Sequence, residues 1–219
     1  MSGPDRLRRF GAVVFVACAL VGGAVAVDAA PIGPTSDGLA AAVSTPPVFY
    51  VRLTTTANRA GGIVGRVEGN DRFTVRFPIA VLQSTVCSAW TTQSNNRSLA
   101  GITFTLDDNA GITGNDLLTV TGSPATCAAG FHIGSMDLGS ANYVSGGDKS
   151  FANSSLALSS GTGQALFTFT LGTTVSGPGT VATVASGTFA RFDPDAVLSD
   201  TAAHLIGLNK AQTTTTVQF

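Results

Sequence analysis

The chain has 219 residues, of which 44% are hydrophobic and only 11% charged, and its formal net charge is −1. Nothing in this balance supports nucleic-acid binding, which would demand a strongly basic face, and no nucleic-acid partner is expected. With two histidines, two tyrosines, one tryptophan and a single glutamate, Glu68, it is also poor in catalytic side chains.

Arg6, Arg8 and Arg9 precede a run from Phe10 to Val27 that carries no charge, and small residues follow at Ala24-Val25-Ala26 and Val27-Asp28-Ala29. This is the pattern of a secretory signal peptide or signal anchor over 1–29, a hydrophobic helix whose basic end stays inside while the rest is exported. Val16-Ala17-Cys18 loosely resembles a lipobox, but the apolar run continues well past Cys18, so an ordinary cysteine of the hydrophobic segment is the reading. Residues 30–47 are a flexible Ala/Pro linker or arm, where Pro31, Pro34, Pro46 and Pro47 bar a regular helix. About 190 residues would remain after cleavage, enough for one buried core, and 48–219 is predicted as a single domain.

From residue 48 the dominant period is two. Phe73, Val75 and Phe77 alternate with Thr74 and Arg76; Ile102, Phe104 and Leu106 with Thr103 and Thr105; Phe167, Phe169 and Leu171 with Thr168 and Thr170. Each segment reads as a half-buried strand with its large apolar side chains on the core face. Further strands are predicted near 48–54, 62–67, 84–91, 117–121, 130–133, 155–159, 180–185, 187–192 and 213–219, separated by Gly- and Asn/Asp-rich turns. The fold class is all-β: an antiparallel β-sandwich or jelly-roll. One short helix near the C-terminus is expected, capped by Asp193, with Pro194 in its first turn and Gly207 at its end. Thr213–Phe219 resembles the closing strand of outer-membrane barrels, but so few Tyr and Trp residues cannot make two aromatic girdles, so an ordinary last strand is predicted.

In an exported chain Cys87 and Cys127 read as a disulfide. Asp107-Asp108-Asn109 with Asn115-Asp116, and separately Asp193 with Asp195, carry oxygens of the type calcium takes, although such residues are also ordinary turn formers. Asp107, Asp108, Asn109 and Asp116 are the first candidates for that ion; no other cofactor is expected. His132, Ser135 and Asp137 have the residue types of a nucleophilic triad, but their crowding on one extended segment and the missing nucleophile elbow argue for polar strand-end residues. Asp200 and His204 stand four apart on the expected helix, where a surface pair is the plain reading. Trp90 is a candidate platform for a stacked sugar ring, set against packing near Cys87. Asn96-Arg97-Ser98 and Asn153-Ser154-Ser155 are glycosylation sequons in a eukaryotic setting.

The functional expectation is a non-enzymatic structural or assembly protein, secreted or displayed on a cell surface, filament or virion, with protein partners or self-assembly. A carbohydrate- or other ligand-binding module is the alternative, and a hydrolase using aspartates a third reading. Membrane contact is expected only through an uncleaved N-terminal segment. Arg52, Arg59, Arg66, Arg72 and Arg76 precede Asp107, Asp108, Asp116, Asp137 and Asp148 in sequence; placed at opposite ends of the fold, these groups would favour head-to-tail contacts between copies.

Overall fold

A computed structural model describes residues 52–161, 163–184, 188–206 and 211–212. The expected signal segment over 1–29, the expected linker over 30–47, the expected strand over 213–219 and Gly207 lie outside the described residues.

Twelve strands form among the described residues: β1 Arg52–Ala57, β2 Arg72–Phe77, β3 Asn96–Asp107, β4 Leu117–Gly122, β5 Gly134–Asp137, β6 Val144–Ser145, β7 Lys149–Gly161, β8 Gln164–Thr170, β9 Thr174–Ser176, β10 Thr180–Val181, β11 Arg191–Pro194 and β12 Ala211–Gln212. Ten of them make one sheet in the order β1-β2-β8-β7-β3-β4-β5-β11-β12, with β9 added beside β7. β6 and β10 form a separate ribbon. Every pairing is antiparallel. The fold is therefore all-β, and its large sheet rolls until β1 comes against β11 and β12.

The rolling follows from the alternation. Phe73, Val75, Phe77, Ile102, Phe104, Leu106, Phe167, Phe169 and Leu171 are all buried, as their period requires. Phe73 stacks on Phe169 at 4.6 Å between ring centroids and meets the edge of Phe104 at 5.7 Å. Phe77 reaches Phe192 at 6.4 Å, joining β2 to β11 near the two ends of the strand order. Phe73 and Phe169 are register partners on neighbouring strands, but the contacts of Phe73 with Phe104 and of Phe77 with Phe192 join unpaired strands and form when the sheet's two halves face one another across a common core. On the outer face Thr74, Thr103, Thr168 and Thr170 are half-buried, while Thr105 is buried. Thr105 lies in a central strand between Thr121 and Ser150, and hydrogen bonds of 2.7 and 3.0 Å to their hydroxyls satisfy its own.

Several expected elements differ. The helix expected after Asp193 is absent: Arg191–Pro194 pairs with β5, and turns follow. Asp195 accepts the Val197 N–H, and one oxygen of Asp200 accepts both the Ala202 and His204 N–H groups. Aspartates that satisfy nearby amides in this way compete with helical hydrogen bonding. Residues 62–67 form turns, and 84–91 hold a one-turn helix, α1 Gln83–Val86, leading into Cys87. Over 130–133 only Phe131 makes a bridge, to Cys87. Strand β7 begins six residues before its expected start at 155.

The rolled sheet has two ends. At one, the connections 78–95, 123–133 and 195–206 bond to each other: Leu82 N–H donates to Ser199 O, His132 N–H to Val86 O and Asp195 N–H to Ile133 O. Cys87 and Cys127 are joined there as a buried disulfide, with Cα atoms 5.1 Å apart. At the other end lie the connections 58–71, 108–116, 138–148 and 171–179.

Phe104→Ala is expected to cost about 3–5 kcal/mol through cavity formation, read as a lower guanidinium midpoint at unchanged slope. An unchanged midpoint would contradict its place in the core. Replacing both cysteines by serine opens a loop of 40 residues and is expected to cost roughly 4 kcal/mol on the chain-entropy account, measured by the same titration without reductant.

Candidate functional site

The end opposite the disulfide is organised by carboxylates that accept backbone N–H groups. Asp71 is fully buried; one of its oxygens accepts the Arg59 N–H at 2.8 Å and the other the Glu68 N–H at 2.6 Å. Burial raises the Asp71 pKa, opposed by those two hydrogen bonds. Together they draw both limbs of the 58–70 connection onto one side chain. Glu68 in turn accepts the Ile63 N–H at 2.9 Å, which holds its carboxyl below the ordinary range, and lies 3.5 Å from Arg59 Nε.

Folded this way, the connection forms one wall of an open cleft of about 510 Å³. Arg59, Arg66, Glu68 and Asn70 line this wall; Lys149, Thr173, Val175 and Thr180 line the other. Three cations thus share the cleft with one carboxylate. Lys149 Nζ donates to Gly177 O at 3.0 Å, leaving two of its three donors for other use. Arg66 Nε is buried and has no hydrogen-bond partner among the described residues. Ile63, Val64 and Val175 are exposed at the cleft or beside its wall, at 46%, 63% and 44%.

The oxygens weighed as calcium ligands have another use here. Asp116 is fully buried and accepts N–H groups from Asn109, Tyr143 and Val144 at 3.1, 2.7 and 2.9 Å. Asp107 accepts the Thr119 hydroxyl at 2.6 Å; burial raises its pKa, Thr119 opposes the rise, and nearby Asp148 adds to it. Asp108 accepts the Gly147 N–H and the Asn109 side-chain amide, and Asp148 accepts the Asp108 N–H. Asn115 donates to Asp137, which also accepts the Gly139 N–H. No group of three or more His, Cys, Asp or Glu that could hold a metal ion occurs among the described residues. These aspartates also share an end with Arg59, Arg66 and Lys149, because Lys149 opens β7 beside Leu106 and Asp107 closes β3. The segregation of arginines from aspartates that head-to-tail contact would need is not found.

Trp90, His132, Asp200 and His204 lie toward the disulfide end. Trp90 is 8% exposed, with the Arg97 guanidinium 5.8 Å from its ring centroid. It is a core residue, which corrects the reading of an open sugar platform. His132 Nδ1 meets Asp195 at 3.1 Å, while Asp137 is engaged at the opposite end of β5, so His132, Ser135 and Asp137 form no triad. Asp200 and His204 do pair, at 2.9 Å, but in a turn. Asn96 and Asn153 are both exposed, as sequons require. The cleft itself was missed: the cluster of arginines is visible in the sequence, but not the fold that sets Lys149 opposite them. Compared with known proteins, the chain matches no family model, no curated protein and no solved structure.

Burial acts to raise the Asp200 pKa, but the hydrogen bonds from the His204 ring and from the His204 and Ala202 amides outweigh it and hold the carboxyl below its ordinary value of 3.8. A depressed pKa contributes stability above the unfolded value that is lost as pH falls through the folded one. Amide exchange at Ala202 and His204 should therefore be protected while Asp200 is ionised and lose that protection as pH falls below the ordinary carboxylate value of 3.8 and through the lowered folded one. Protection that persists unchanged into acid would remove Asp200 from that role.

Proposed function

We propose that this chain is an extracytoplasmic β domain, secreted or displayed at a surface, that works by holding another molecule and not by turnover. The cleft of Arg59, Arg66 and Lys149 carries this reading: it is open, it gathers donors, and its one carboxylate already accepts a backbone amide. General acid–base work needs a titrating group placed to exchange a proton with substrate. Here Glu68 is held ionised by the Ile63 amide with Arg59 beside it, which suits an acceptor and not an acid. The N-terminal sequence pattern of an export signal and the buried Cys87–Cys127 bridge support a place outside the cytoplasm. In fold terms we read the rolled sheet as the expected sandwich or jelly-roll, its two halves face to face.

Assembly with other copies is the second reading. It is favoured by Ile63, Val64 and Val175, apolar side chains left in water around the same cleft. In either reading the protein acts by contact through this face.

The test is sedimentation across a concentration series together with retention on immobilised neutral and acidic polysaccharides, with the length of each polymer measured before and after. Retention or concentration-dependent association, with polymer length unchanged, is the expected result. Shortening of any polymer, or neither retention nor association, would overturn the proposal.

A further inference from the structure

Resting on that reading, we infer that the cleft takes an acidic polysaccharide, its carboxylate or sulfate groups seated between Arg59, Arg66 and Lys149. The lining carries three positive charges against the one on Glu68, so the empty cleft has an excess of cation and attracts anions. The Arg66 guanidinium is only partly met by the protein: Glu68 lies within electrostatic reach, yet its Nε donor is buried with no acceptor among the described residues. Arg66 as a whole is half-buried in the cleft lining, and no side chain among the described residues forms a hydrogen bond or close ion pair with its guanidinium, so an oxyanion entering the cleft would supply acceptors to a charged group the protein leaves under-satisfied. Lys149 faces it from the other wall, held at a fixed position by Gly177 O but with donors to spare. Arginine and lysine on opposing walls match an anion that sits between them.

The remaining lining separates a sugar from a bare ion or an acidic peptide. Asn70, Thr173 and Thr180 add neutral amide and hydroxyl groups, of the type that exchanges hydrogen bonds with sugar hydroxyls, and Glu68 adds a charged acceptor for them. That carboxylate would repel an all-acidic peptide but can bind a hydroxyl beside an acidic group. Val175 and Pro178 offer apolar surface to the C–H faces of a ring. The cleft is open, as passage of a polymer requires.

Titration calorimetry on the full domain with four probes tests this: polygalacturonate for carboxylates alone, heparin for sulfates with carboxylates, dextran as the neutral polymer, and polyglutamate as the acidic polypeptide. Either acidic polysaccharide should bind, and which of them binds more tightly identifies the anionic group. Dextran should not bind, and polyglutamate should bind more weakly. Arg66→Gln and Lys149→Gln should each weaken binding by about tenfold, as expected for loss of one charge-assisted contact, and added salt should weaken it further. Arg76→Gln, on an exposed position of β2 outside the cleft lining, should leave affinity unchanged. Glu68→Gln keeps an oxygen for the Ile63 amide while removing the negative charge, and should tighten binding. Equal binding of dextran, a preference for polyglutamate, or an Arg76→Gln loss as large as that of Arg66→Gln would each overturn the inference. Absence of binding to every probe in a protein that still self-associates would overturn the polysaccharide assignment and leave the contact reading standing. Shortening of a probe would overturn the contact reading itself.

Discussion

The phenylalanine cluster is the constraint on which the rest of this structure depends. Phe73, Phe104 and Phe169 touch ring to ring, and Phe77 bridges to Phe192 from strands that are not neighbours in the sheet. An open antiparallel sheet has no reason to bring β2 to β11, but a face of large rings that must leave water does. Once those rings meet, the strands' connections are divided between two ends. One is closed by turns hydrogen-bonded to one another and by a disulfide; the other is held open around a cleft.

The two ends are stabilised by different chemistry. The closed end uses a covalent bridge and backbone hydrogen bonds between three connections. The open end uses aspartates as acceptors: Asp71 for two amides of the cleft wall, Asp116 for three amides across the 108–116 and 138–148 connections. A carboxylate serves this purpose well because it can accept several N–H groups at once, and each charge-assisted bond is stronger than a neutral one. The result is a set of loops with fixed geometry and few free acidic groups, which leaves the cations of the cleft to dominate what an approaching molecule meets.

Much of the core was legible from alternation alone, since every phenylalanine in a strict period-two segment is buried. The first half of β7 was not, because Lys149-Ser-Phe-Ala-Asn-Ser puts only one large apolar residue on the inner face and a positive φ at Asn153 interrupts the period. The C-terminal helix was misjudged because Asp193-Pro194 is equally a helix start and a strand end; the pairing of Pro194 with Gly134 decided it. Of the candidate sites, the cysteine pair was readable because chemistry and compartment together left one partner for each. The acidic loops were ambiguous: Asp and Asn serve turns and metals alike, and only the positions of the amides of Tyr143 and Val144 show which use Asp116 has. The cleft needs Lys149 beside residues some eighty positions earlier, a proximity that no local pattern encodes.

Strand β1 runs from Arg52, opposite Arg76, to Ala57, opposite Arg72. Arg76 lies toward the disulfide end, and Arg72 adjoins the connection that forms the cleft wall. The chain thus enters the sheet at the closed end and reaches the cleft only after crossing its full height. Mechanical load arriving through the N-terminal side is delivered first to β1 and its hydrogen bonds with β2, where the strands lie antiparallel and shear against each other along their length. The 58–70 loop that shapes the cleft hangs directly from the far end of that strand pair. Displacing β1 along β2 would pull on the loop that carries Arg59, so the proposed binding face is tied to the strand pair through which the chain enters the sheet.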